Sequence, residues 1–220
     1  MRDAVRGTVV GLVLFGLLGA IASRAGWATI DMPRPDGTAP WFVSRATGFA
    51  AFTALALDVI VGLLVSTKAG DRWVTRAHAI DLHGWLSPVA LALVIGHASI
   101  LIVDGYIRFD LLDLVVPFVA PYRPLAVGIG VIAAYLALVV HASFGLRRRL
   151  GIRTWRRLHY LSFAAFVASS LHAMLAGSDW SRPWAVALHG SLLAIVGALV
   201  AYRLLLSRQH AHANPQRNAR

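Results

Sequence analysis

Nine histidines are the residues of this chain best suited to bind a metal or move a proton. There is no cysteine, which excludes disulfides, thiolate-held iron and zinc sites built on thiolates. Seven of the histidines (His78, His83, His97, His141, His159, His172 and His189) fall in or beside long apolar stretches, while His210 and His212 sit in a polar tail. Ionisable side chains at membrane depth are costly, so each of the seven is a functional candidate by default. A single intramembrane histidine is more often an interhelical hydrogen-bonding group than a ligand. The arrangement therefore matters more than the number.

His83 and His97 are 14 residues apart. On a helix rising 1.5 Å per residue that is about 21 Å, and about 3.9 turns, so the two face nearly the same way. His159 and His172 are 13 residues apart, or about 20 Å and 3.6 turns, which takes them off a common face of a straight helix. Tilt, a π-bulge or a frayed helix start at His159 are the ways to reconcile them. Two facing imidazoles per layer suit axial ligation of a planar metal macrocycle. A zinc or copper site would need three or four ligands converging on one point. Small residues flank the histidines: Ala90, Gly96 and Ala98 on one stretch, and Ala164, Ala165, Ala168, Ser169 and Ala173 on the other. They either clear room for a flat ring or simply allow close helix packing.

The elements that must carry these histidines are membrane helices. Hydrophobic residues make up 58% of the chain and charged residues 14%, against roughly a quarter in ordinary globular proteins. The mean hydropathy is +0.66. Apolar runs of the length needed to cross a bilayer lie at about 8–27, 45–66, 80–103, 124–146, 157–176 and 184–206. The fold expected is thus all-α, a polytopic bundle of six transmembrane helices. Pro33, Pro35 and Gly37 break the chain after the first run, Asp104-Gly105 and the Pro117–Pro124 stretch after the third, and Gly177 after the fifth. The apolar stretch 109–119 is too short to span and reads as an interfacial segment. The first run is longer than a secretory signal core, so it is counted as a span. Residues 1–43 then form the first helix and an outer loop, and 208–220 a disordered cytoplasmic tail.

Charge sets the expected orientation. Fifteen of the 21 basic residues, including six arginines between 147 and 157, fall on one side with three acids, Asp3, Asp71 and Asp81. The opposite side carries six arginines and six aspartates. Positive charge collects on the cytoplasmic side, which puts both termini there. The net charge of +11 suits anionic lipid head groups or an acidic cytoplasmic partner and gives no reason to invoke nucleic acid. The third and fifth runs point the same way, so His83 lies level with His159 near the inner face and His97 with His172 nearer the outer face.

Asp81-Leu-His83 with a second histidine 14 residues on, Thr154-Trp-Arg-Arg-Leu-His-Tyr-Leu-Ser162 and Leu171-His172-Ala-Met-Leu-Ala-Gly-Ser-Asp179 together resemble the ferric-reductase-like transmembrane domain. Ser44-Arg45-Ala-Thr-Gly48 is similar to the family as well, and the resemblance covers about 44–207. The family includes ferric reductases, NADPH oxidases and the haem subunit of the bacterial periplasmic methionine sulfoxide reductase system. The resemblance implies two haem b groups with bis-histidine ligation, His83 and His159 holding the inner one and His97 and His172 the outer one. The long family members continue into flavin and nicotinamide domains. No Gly-rich dinucleotide fingerprint occurs in this chain, so the expected donor is a separate flavoprotein or a quinol.

A haem iron with two imidazole ligands has no open position and suits electron transfer. Arg45, and Arg156 or Arg157, are candidates to pair with propionates. Phe163 and Phe166 lie between the layers, where they assist electron passage or simply fill the core. Asp58 is the one acid well inside a span; it and His141 match no family ligand, and a mutual pair, a propionate contact, a quinol site or a plain interhelical bond are all open to them. The expected function is oxidoreductase electron transfer across the plasma (bacterial inner) membrane from a cytoplasmic or quinol donor to an outer redox partner or small acceptor. The alternatives are a proton-coupled transporter using Asp58 and the histidines, without haem, and an assembly subunit whose histidines only join helices.

Overall fold

The computed structural model describes residues 39–105 and 107–213; the expected first span, 8–27, lies outside them. Among the described residues the regular structure is entirely helical: α1 Ala39–Thr67, α2 Arg76–Ile102, α3 Leu111–Val115, α4 Pro124–Gly145, α5 Arg147–His159, α6 Leu161–Ala176 and α7 Pro183–Ala213. Five segments are long and apolar enough to cross a membrane, namely α1, α2, α4, α5 with α6 as Arg147–Ala176, and α7 over Pro183–Gln209. This is a multi-pass membrane protein.

Proline marks where three of these helices begin. Pro40, Pro124 and Pro183 stand in the first turns of α1, α4 and α7. An N–H there has no partner inside the helix, so its loss costs nothing and the fixed φ favours the first turn. Pro88, by contrast, is inside α2, where a membrane helix tolerates it because neighbouring groups re-satisfy the freed carbonyl.

Two expectations are corrected. The arginine-rich stretch 147–157 is not a loop but most of α5, interrupted at Gly151, whose φ of 74° and ψ of 156° only glycine adopts without strain. Of the ways to reconcile the interval from His159 to His172, a helix boundary at His159 is the one found: α5 ends at His159 and α6 starts at Leu161. The tail, expected to be disordered from 208, is helical as far as Ala213. The expected interfacial segment holds the single short turn of helix α3, opened by the Asp110 N–H donating to Asp113 Oδ2 at 2.8 Å.

The described residues divide into two compact units, one of 39–52 with those of 88–178, the other of 53–87 with 179–213. In the first unit α4 packs along α6. Phe109, Ala120, Val127 and Val131 form a buried cluster that Leu101, Leu114, Tyr122 and Tyr135 surround. Phe52 stacks on Phe166 at 5.8 Å between ring centroids. Arg123 donates to the Leu175 carbonyl at 2.6 Å, satisfying an acceptor that the last turn of α6 leaves open. In the second unit Ala56, Leu63, Ala185 and Val196 are buried. The Arg76 guanidinium donates to the Val65 carbonyl at 3.2 Å.

Candidate metal-binding histidines

Three histidines are held by the same local device. In the first unit, His97 Nδ1 donates to the Ser44 carbonyl at 2.7 Å. Four residues along α1 stands Gly48, where an added Cβ would come within 3.0 Å of the His97 ring. His172 Nδ1 donates to the Ala126 carbonyl at 2.8 Å. Four residues along α4 stands Gly130, where a Cβ would lie 2.5 Å from that same nitrogen. In the second unit, His83 Nδ1 donates to the Asp58 carbonyl at 3.1 Å. Gly62, again four residues on, would place a Cβ 3.2 Å from the His83 ring.

Helix geometry explains the repeat. A helical side chain leans toward the N-terminus and covers the turn before its own Cα, so the residue at i+4 shields the carbonyl of residue i. Glycine at i+4 uncovers that carbonyl, and an N–H from another helix reaches it. A carbonyl only accepts hydrogen bonds, so each Nδ1 carries the proton and each Nε2 keeps its lone pair. Fixing one ring nitrogen in this way prepares the other to bond a metal.

The imidazoles of His97 and His172 meet edge to face in the first unit, with ring centroids 6.2 Å apart and planes at 72°. Ser44 adds a second tie to His97, its hydroxyl donating to the His97 carbonyl at 3.4 Å. In the second unit His83 has a partner that the other two lack. The Asp58 carboxylate oxygen Oδ1 lies 2.8 Å from His83 Nδ1, beside the carbonyl of the same residue.

His159 is held differently. Its ring stacks on Trp155, one turn earlier in α5, at 5.1 Å and 25°. Trp155 in turn meets the edge of Phe144 at 6.4 Å and lies under the Arg147 guanidinium at 4.7 Å. Arg45 is half-buried in α1, next to Ser44, with its guanidinium over the Phe42 ring at 5.4 Å. Arg156 and Arg157 are exposed on the last turn of α5. Phe166 is a buried packing residue against Phe52. Phe163 stacks on Tyr160. His189 is buried against the edge of Trp180 in the second unit, His141 is half-buried in α4, and His78 pairs with Thr75 at the start of α2.

Residues 47–170 match the family described as ferric reductase like transmembrane component. The chain belongs to that family. No curated protein and no solved structure matches it. The ferric-reductase-like match takes in His83, His97, His159 and the three glycines Gly48, Gly62 and Gly130, and it ends two residues before His172. Membership points to electron transfer across a membrane.

The seats themselves went unread in the sequence, although a signal was there. Ser44 and Asp58 are 14 residues apart, as are Gly48 and Gly62, the same interval that separates His83 from His97. Two helices carrying matched intervals in opposite order are set to meet at both positions.

Proposed function

We propose that this chain is a haem b protein that carries electrons across the plasma membrane, from a cytoplasmic flavoprotein or a membrane quinol to an acceptor on the outer side. The observation that carries the reading is the neighbouring pair of His97 and His172, each with Nδ1 on a helix carbonyl, which leaves the lone pair on Nε2.

The residues fit the group. Two imidazoles sharing one metal ion, each bonded at about 2 Å, have ring centroids about 6 Å apart, and the separation of His97 and His172 is 6.2 Å. The glycine seats supply the space that brings each ring against its carbonyl. Bound haem would supply one-electron chemistry at an iron held by two imidazoles, which suits electron transfer over oxygen activation. His97 and His172 would hold the outer haem. His83 and His159 are the ligands proposed for an inner haem, on the strength of the family resemblance and of His83 sharing the seat geometry. Arg45 and Arg157 would pair with propionates through charge-assisted hydrogen bonds. The excess of basic residues on one side supports placing both termini in the cytoplasm.

Vesicles containing the haem-loaded protein and enclosing ferricyanide test the proposal. An impermeant reductant added outside should reduce the enclosed ferricyanide far faster than in protein-free vesicles, and His172→Ala should abolish the difference. Haem-loaded protein that gives no acceleration in either orientation contradicts a transmembrane electron path.

A further inference from the structure

We infer that Asp58 is a positioning residue for His83 that lowers the redox potential of the iron His83 holds, setting it below that of the iron held by His97 and His172. This rests on the haem reading above and deepens it.

Three histidines share one kind of seat, so the seat alone gives no reason for their irons to differ. What differs is the second oxygen. His97 and His172 each give Nδ1 to a backbone carbonyl, and the further oxygen near His97 Nδ1 is the uncharged Ser44 hydroxyl at 3.3 Å. His83 gives Nδ1 to a carbonyl at 3.1 Å and also has a carboxylate oxygen at 2.8 Å from the same nitrogen. The Asp58 side chain is largely buried, at 12% exposure, so solvent screens this contact little. An acid inside a membrane helix is retained at a cost and is seldom idle. A carboxylate beside the outer nitrogen of a metal-bound imidazole draws the N–H proton toward itself, which makes the imidazole a stronger donor. Stronger donation favours the oxidised metal, and so lowers its potential. Asp58 also fixes the ring: one residue supplies both the carbonyl and the carboxylate, so rotation of His83 about χ2 would lose two interactions together.

The consequence would be a built-in direction: an electron would run downhill from the iron held by His83 to the iron held by His97 and His172.

Spectroelectrochemical titration of the purified protein tests this. Two midpoint potentials are expected, and the lower should be the one that disappears in His83→Ala. Asp58→Asn keeps the backbone carbonyl and the side-chain size but removes the charge. It should shift the oxidised-to-reduced ratio of that haem about tenfold, raising its midpoint by about 59 mV, with two haems still bound and the other potential unmoved. Asp58→Glu, which keeps the carboxylate, should stay closer to the parent value. Should Asp58→Asn shed the haem, the decision falls to Asp58→Glu: a retained low potential supports the inference, and a potential equal to that of the other haem overturns it. Unchanged potentials in a fully loaded Asp58→Asn overturn it as well. A parent protein with no haem would instead remove the functional reading beneath it.

Discussion

An imidazole offers a metal one nitrogen, and what its other nitrogen touches decides whether that nitrogen is ready. His97, His172 and His83 meet the condition through a carbonyl and a glycine one turn later. The glycines are therefore as consequential as the histidines. Adding a methyl group at Gly130 would put it 2.5 Å from His172 Nδ1, and at Gly62 it would be 3.2 Å from the His83 ring. Gly130→Ala should cost about 1–3 kcal/mol by overpacking and lose the haem held by His172, whereas Gly62→Ala should be milder, as haem content and melting temperature in detergent will show. His97→Ala or His172→Ala should also lose one haem, and His141→Ala none. At this scale the sequence was half legible. Type and spacing single out four histidines, and three of them, His83, His97 and His172, share the same seat. The pairing of Asp58 with His83, 25 residues away, is a contact between two helices, and no pattern along either one announces it.

Among the elements, the breaks matter most. The 13-residue interval between His159 and His172 conflicts with a straight helix, and the end of α5 at His159 resolves the conflict. Composition hid α5. Six arginines between 147 and 157 end any apolar run, yet arginine is a good helix former, and only Gly151 interrupts the stretch. Proline in a first turn has a local cause that needs no partner, yet the helix holding Pro40 starts at Ala39, six residues before the expected 45. Close packing between elements makes a further prediction. Gly128 faces the loop before α4, where an added Cβ would stand 2.6 Å from the Phe118 backbone nitrogen. Gly197 in α7 is exposed and has nothing within 4 Å of that position. Gly128→Ala should lower the melting temperature by several degrees. Gly197→Ala should leave it unchanged or raise it slightly, since alanine is the better helix residue. Equal behaviour of the two would contradict the packing of residues 116–119 against α4.

For the molecule as a whole, composition alone declares a membrane protein, and the five described spans agree with five of the six apolar runs. Their outward faces carry large apolar side chains such as Leu125 and Val167, more than half exposed, as lipid requires. What composition does not carry is the use of the bundle, because the same helices suit a transporter or an electron path. The seats of His97, His172 and His83, each with Nδ1 on a helix carbonyl, are the feature on which the electron-path proposal rests. The most direct measurement is the haem content of the purified full-length chain, by pyridine haemochrome with a reduced-minus-oxidised spectrum. Two b-type haems per chain, with the spectrum of low-spin iron between two imidazoles, is the predicted result. A colourless protein, from cells supplied with haem and with the helices intact by circular dichroism, would contradict the account.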